Sequence, residues 1–125
     1  MIRLLLDTNI LVWVGANDPR LPRHVLDQLF DADSNLFVSA VTAWEFADLQ
    51  TRGRLPQRIS LAAILEVLDA SLLDFPIACY QLASALPNIH WDPIDRMVIA
   101  HALTEGFTLV TGDEKMRRYS VACLW

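Results

Sequence analysis

The stretch Ile2–Val14, IRLLLDTNILVWV, decides the fold. Three leucines follow Arg3 and stop at Asp7, and apolar residues resume at Ile10 after Thr8 and Asn9. An apolar run without alternation that ends abruptly in a polar residue reads as a strand buried on both faces. Ile10–Val14 then begins a helix, with Asp7 suited to capping it. Asp18, Pro19 and Pro22 break the chain after that helix.

The same alternation continues outward. Arg23–Asp31 reads as a second helix and Leu36–Val38 as a short strand. Val41, Trp44, Ala47 and Leu49 mark a third helix ending near Gly53, and Ser60 caps a fourth that runs through Ser71. Leu72–Phe75 is a further strand and Ile77–Leu86 a helix closed by Pro87. Pro93–Glu105 is a helix stopped by Gly106, followed by a strand at Phe107–Val110, a turn or two of helix at Glu114–Tyr119 and a last strand at Val121–Leu124. Strands alternating with helices predict an α/β fold, a three-layer α/β/α arrangement on a short, mostly parallel sheet. Ligands of such sheets lie beyond the carboxyl ends of the strands, so chemistry is sought in the residues just after each strand.

The chain has 125 residues, the size of one domain, and we expect a single domain over 1–125. Hydrophobic residues make up 54%, which excludes a disordered chain, and a formal charge of −5 argues against binding nucleic acid through bulk positive charge. The longest stretch free of charged residues, Phe75–Trp91, carries Pro76, Pro87, Gln81, Asn88 and His90 and is no membrane span. The apolar run after Arg3 is too short for a signal peptide. Cys79 and Cys123 form no CxxC pair and read as reduced packing residues, in keeping with a cytoplasmic protein.

Four acids stand out. Asp7 follows the first strand and Asp113 follows the Phe107–Val110 strand, and either alone reads as a helix cap. Asp95 lies in His90-Trp91-Asp92-Pro93-Ile94-Asp95-Arg96, where Asp92 is the natural N-cap and Pro93 the first helical residue. Val98, Ile99, Ala102 and Leu103 fall on its own helix face, so its carboxylate heads a buried stripe. Glu45 is bracketed by Val41 and Leu49 on one face. A buried charge of this kind wants a cation or a dense set of donors. Asp48, one turn on, is most simply explained by solvent or by Arg52.

Carboxylates gathered at one crevice repel and raise one another's pKa values, and a divalent cation resolves the conflict. Oxygen ligands without a His or Cys pair point to Mg²⁺ or Mn²⁺ over Zn²⁺. Such an ion suits phosphodiester hydrolysis by an activated water. Setting the four aside leaves 11 acids against 10 bases, so the acidity is a local property.

These segments carry a resemblance. LLLDTNILVW (Leu4–Trp13), SAVTAWEFA (Ser39–Ala47), GRL (Gly53–Leu55), HWDPIDRMVIAHA (His90–Ala102) and TLVTGDE (Thr108–Glu114) together resemble PIN-domain ribonucleases, and in particular VapC-type toxins of toxin–antitoxin pairs. The resemblance spans essentially the whole chain. It implies a metal-dependent endoribonuclease whose Mg²⁺- or Mn²⁺-binding and catalytic acids fall on Asp7, Glu45, Asp95 and Asp113. It also implies supporting roles for Asn9 and Thr111, an RNA substrate, a small antitoxin as partner, and a homodimer. Ile94 stands where many relatives have Phe, Gly112 where Ala is common, and Asp48 where a small apolar residue is frequent. Two other readings stay open: a non-cleaving PIN-like protein that binds RNA or a partner, and a metal-dependent phosphatase or DNA nuclease on a similar sheet.

Arg96 is expected either to pair with an acid or to contact RNA phosphate. His24, His90 and His101 are not spaced as a metal set; His101 reads as structural or surface and His90 as a loop hydrogen-bonder. Arg52, Arg54 and Arg58 form one basic cluster and Lys115, Arg117 and Arg118 another, able to hold an RNA backbone if they flank the crevice. Trp13, Trp44, Trp91 and Trp125 read as core or interface. No GxGxxG, GxxxxGK[ST] or GxSxG motif is present.

Overall fold

In the computed structural model, which describes residues 1–125, the opening stretch forms β1 (Ile2–Leu6) and α1 (Thr8–Ala16). Leu4, Leu5 and Leu6 are each fully buried, as a strand covered on both faces requires. Their side chains alternate between two cores. Leu4 and Leu6 join Ile10, Leu11, Val25, Phe46, Ile64 and Leu68, whereas Leu5 joins Val98, Ile99, Ala102, Leu109 and Met116. Each buried leucine contributes roughly 1.5–3 kcal/mol relative to exposure.

The remaining elements are α2 (Arg23–Leu29), β2 (Ser34–Ser39), α3 (Ala40–Thr51), α4 (Leu61–Leu68), β3 (Ser71–Leu73), α5 (Cys79–Ala85), α6 (Pro93–Glu105), β4 (Thr108–Val110), α7 (Glu114–Arg117) and β5 (Cys123–Leu124). The five strands form one sheet in the order β3-β2-β1-β4-β5, and every pairing is parallel. The chain winds from β1 outward through β2 and β3, then returns to the other side of β1 for β4 and β5. The gap between the carboxyl ends of β1 and β4 is therefore the topological switch point, where open α/β sheets place their ligands. The Asp7 N–H donates to Val110 O at 3.1 Å and pins that edge.

Several predicted boundaries shift. The fourth helix stops at Leu68 because Asp69 turns left-handed (φ 52°) and Ser71 already pairs with Phe37. The α5 helix starts at Cys79 instead of Ile77, and α2 ends at Leu29. Leu103, expected on the buried stripe of α6, is 37% exposed because eight residues carry it past the edge of that face. Pro93–Glu105 itself is as expected, with Asp92 accepting from Ile94 N and Asp95 N and Gly106 left-handed at the far end. His101 is buried; its Nδ1 lies 2.9 Å from Ser39 Oγ, tying α6 to the N-terminus of α3. Cys79 and Cys123 are free thiols. No helix is long and apolar enough to cross a membrane.

Candidate active site

Helices α1, α3, α6 and α7 all begin at the switch-point edge, and each delivers an acid there. Asp7 caps α1, Glu45 sits in the second turn of α3, Asp92 caps α6 with Asp95 at its third residue, and Asp113 caps α7. These acids line one cavity of about 180 Å³ together with Thr8, Asn9 and Leu49. The positive ends of the helix dipoles favour negative charge at this edge.

Asp7 is almost wholly buried. Its Oδ1 accepts from Thr8 N at 2.7 Å and its Oδ2 from Thr111 Oγ1 at 2.8 Å. Burial nevertheless pushes its pKa up to about 6, against the downward pull of those two bonds, and the charges of Glu45 and Asp113 push the same way as burial. Glu45 accepts from the Thr8 hydroxyl, and its pKa is raised, chiefly by burial and then by Asp92 and Asp48. Asp113 Oδ1 accepts from Lys115 N at 2.8 Å and Met116 N at 3.2 Å, while its own N–H donates to Thr111 Oγ1 at 3.1 Å. Thr111 thus joins Asp7 to Asp113 across the switch point.

Asp95 is different. No N–H or O–H of the protein donates an aligned hydrogen bond to its carboxylate. Its pKa rises to about 8, first through burial and then through the charges of Asp7, Asp92, Glu45 and Asp113. The donor atoms of Glu45, Asp92 and Asp95 lie within 4.8 Å of one another, as do those of His90, Asp95 and Asp113. Asp95 belongs to both groups; Asp7 lines the cavity without belonging to either.

A family model described as PIN domain matches residues 4–122. The chain belongs to the PIN domain family. A protein named ribonuclease VapC22, from Mycobacterium tuberculosis, is 30% identical over 122 residues, covering 95% of this PIN domain chain and 93% of its own. Among solved structures, DNA-bound VapBC from Salmonella typhimurium superposes with a TM-score of 0.73 at 20% identity, over 99% of this chain and 98% of that one. VapBC2 from Rickettsia felis, bound to a promoter DNA fragment, gives 0.72 at 20% identity over 98% of each chain. These two likenesses establish the PIN domain fold.

Arg96 needs correcting. Its guanidinium neither pairs with an acid nor reaches the cavity of this PIN domain. Nη2 donates to Ala83 O and Leu86 O, both at 2.9 Å, and Nη1 to Pro87 O and His90 O, both at 3.1 Å, with Tyr119 Oη at 3.3 Å. A buried guanidinium offers a planar fork of donors, and here they satisfy the carbonyls left open at the end of α5 and in the loop after it. Asp48 is held by Arg52 at 3.0 Å.

Sequence reasoning left two residues out of the site, Asp92 and His90. Asp92 caps α6 as expected and also faces the cavity. His90 Nε2 lies 2.7 Å from Asp95 Oδ2 and 3.3 Å from Asp113 Oδ2. Its loop is folded back over the start of α6 by Arg96 and by Tyr119, whose hydroxyl accepts from His90 N at 2.9 Å. The available signal was the spacing of His90, two residues before the cap.

Gly112 also matters more than its place in the motif suggested. A Cβ there would lie 2.7–3.0 Å from the ring of Trp125, which packs on the Thr111–Asp113 turn and against Trp13 at 5.7 Å.

Proposed function

We propose that this PIN domain, one domain over residues 1–125, is a metal-dependent endoribonuclease acting as the cytoplasmic toxin of a toxin–antitoxin pair. The observation that carries the reading is the convergence of Asp7, Glu45, Asp92, Asp95 and Asp113 on one cavity at the switch point. The residues fit a hard divalent cation: the donors are mostly carboxylate oxygens, and Asp95 has no hydrogen-bond donor that would offset its burial. Asp7 and Asp95 would hold Mg²⁺ or Mn²⁺, with Glu45 and Asp113 completing the set. Such an ion supplies Lewis acidity at the phosphate and lowers the pKa of a water.

The chain's own residues do the rest. Thr8 and Thr111 hold Asp7, and the Thr8 hydroxyl fixes Glu45. Glu45, so fixed, is placed to orient the attacking water. Asn9, exposed at the cavity, is placed to meet the substrate. Lys115, in the first turn of α7 that Asp113 caps, is a cation close in sequence to the site, where it can hold an RNA backbone.

The names of the relatives support an antitoxin partner: VapC22 is called a ribonuclease, and the solved neighbours are VapBC. A homodimer is in keeping with the exposed apolar groove of Val41, Trp44, Ile94 and Met97 between α3 and α6. The test is cleavage of RNA by the wild type and by Asp95→Asn, each with Mg²⁺, Mn²⁺ or chelator. Metal-dependent cleavage lost in the variant is expected. RNA binding without cleavage under any metal refutes the enzyme reading, and cleavage of DNA alone refutes the substrate.

A further inference from the structure

His90 is a donor that the acid cavity leaves unexplained. Its Nε2 is closed to solvent, yet it makes no aligned hydrogen bond. It nonetheless sits 2.7 Å from Asp95 Oδ2 and 3.3 Å from Asp113 Oδ2. A nitrogen that close to two carboxylate oxygens, without hydrogen-bond alignment, has the spacing of ligands that share an ion. Octahedral ligands at about 2.1 Å from a divalent ion place neighbouring donors about 3 Å apart.

The scaffold holds the imidazole in that position. His90 O accepts from Arg96 Nη1 and His90 N donates to Tyr119 Oη, so the backbone on both sides of the ring is fixed by buried groups. Arg96 Nη1 also donates to Tyr119 Oη, and Tyr119 Oη to Pro87 O, so the two groups that hold the His90 backbone hold each other and the loop before it.

We propose that His90 Nε2, Asp95 Oδ2 and Asp113 Oδ2 form one face of a metal site that favours a transition ion such as Mn²⁺ over Mg²⁺. This rests on the reading that the acid cavity holds a divalent cation. Mg²⁺ takes oxygen ligands and keeps its waters, whereas transition ions, of which Mn²⁺ is the first in the stability order, accept an imidazole nitrogen more readily. A nitrogen ligand therefore tilts the choice away from Mg²⁺. Glu45 and Asp92 offer an oxygen-only position beside it, and Asp95 is common to both.

The test is electron spin echo spectroscopy of the full chain loaded with Mn²⁺, which detects directly bound ¹⁴N. The wild type is expected to show ¹⁴N modulation, which converts to the ¹⁵N pattern when histidine is ¹⁵N-labelled and needs no mutation. His90→Gln is expected to lose the modulation and bind Mn²⁺ about 10–100-fold more weakly. Its Mn²⁺-over-Mg²⁺ preference, measured by competition, should fall with it. His24→Gln, on the exposed face of α2, should change neither. Mn²⁺ bound without ¹⁴N modulation, or modulation that survives His90→Gln, overturns the assignment of His90 and leaves the cation reading intact. No Mn²⁺ binding by the wild type overturns both.

Discussion

Asp7→Asn should separate stability from activity. Burial raises the Asp7 pKa from 3.8 to about 6. A carboxyl whose pKa is raised by folding binds more protons in the folded state, so its contribution to stability falls as pH rises from the unfolded pKa through the folded one. Here that window runs from about pH 4 to above 6. The full shift corresponds to about 3 kcal/mol above pH 7, but only about 0.5 kcal/mol at pH 4. Asparagine carries no charge, so it escapes this penalty. It gives up one charge-assisted bond, from Thr8 N or Thr111 Oγ1, a loss of about 1 kcal/mol. The variant should therefore be close to wild type in stability at pH 4 and about 2 kcal/mol more stable at pH 8. The assay is urea unfolding of both proteins in chelator across that range. Added Mn²⁺ should reverse the order, stabilising the wild type by mass action and the variant less, while RNA cleavage by the variant is lost. A variant less stable than wild type at pH 8 by the same amount as at pH 4 would refute the reasoning, because the buried carboxylate would then be stabilising.

Other perturbations probe the frame around the site. Arg96→Met leaves carbonyls of Ala83, Leu86, Pro87 and His90 without their donor and should cost about 3 kcal/mol in urea unfolding. A loss under 1 kcal/mol would show that these bonds contribute little. Gly112→Ala places a methyl against the Trp125 ring and should cost about 1–3 kcal/mol and change tryptophan fluorescence. An unchanged spectrum would mean that Trp125 does not rest there in solution. If the proposed homodimer uses the exposed groove of α3, Trp44→Glu should shift the mass seen by light scattering from dimer to monomer without lowering thermal stability. A dimer that survives the change would place the interface elsewhere.

Local sequence made the central part of this fold legible. Leu4–Leu6 stopping at Asp7 required a central strand, and Asp92-Pro93 with Gly106 bounded α6 to the residue. Asp7 and Asp113 fall at one edge through the strands they follow, because parallel strands end on the same side, whereas Glu45 and Asp95 are marked by carboxylates set on apolar helix faces. The features that sequence pattern missed depend on tertiary packing. Arg96 comes directly after an acid on a helix, which suggested an ion pair, yet its partners are carbonyls of α5 and the loop beyond it that only the packed fold brings near. His90 is one residue in an irregular loop, and periodicity says nothing of where such a loop folds back. The Gly112–Trp125 contact joins two positions with no local pattern between them.

The hydrogen-bond supply to the acids ranks their dependence on a cation. Asp7 has two donors, Asp113 two backbone donors and Glu45 one hydroxyl. Asp95 has none that is aligned, and its pKa is driven highest, to about 8. A buried carboxylate without donors stays ionised at neutral pH only when a cation is near. Near pH 7 without metal, Asp95 is thus held mainly protonated, and an ion that binds there must displace a proton. Metal affinity should therefore rise with pH up to about 8 and level off above it. Asp7 and Asp113, already served by the protein, form the fixed part of the site, and Asp95 is the part left for the ion to complete.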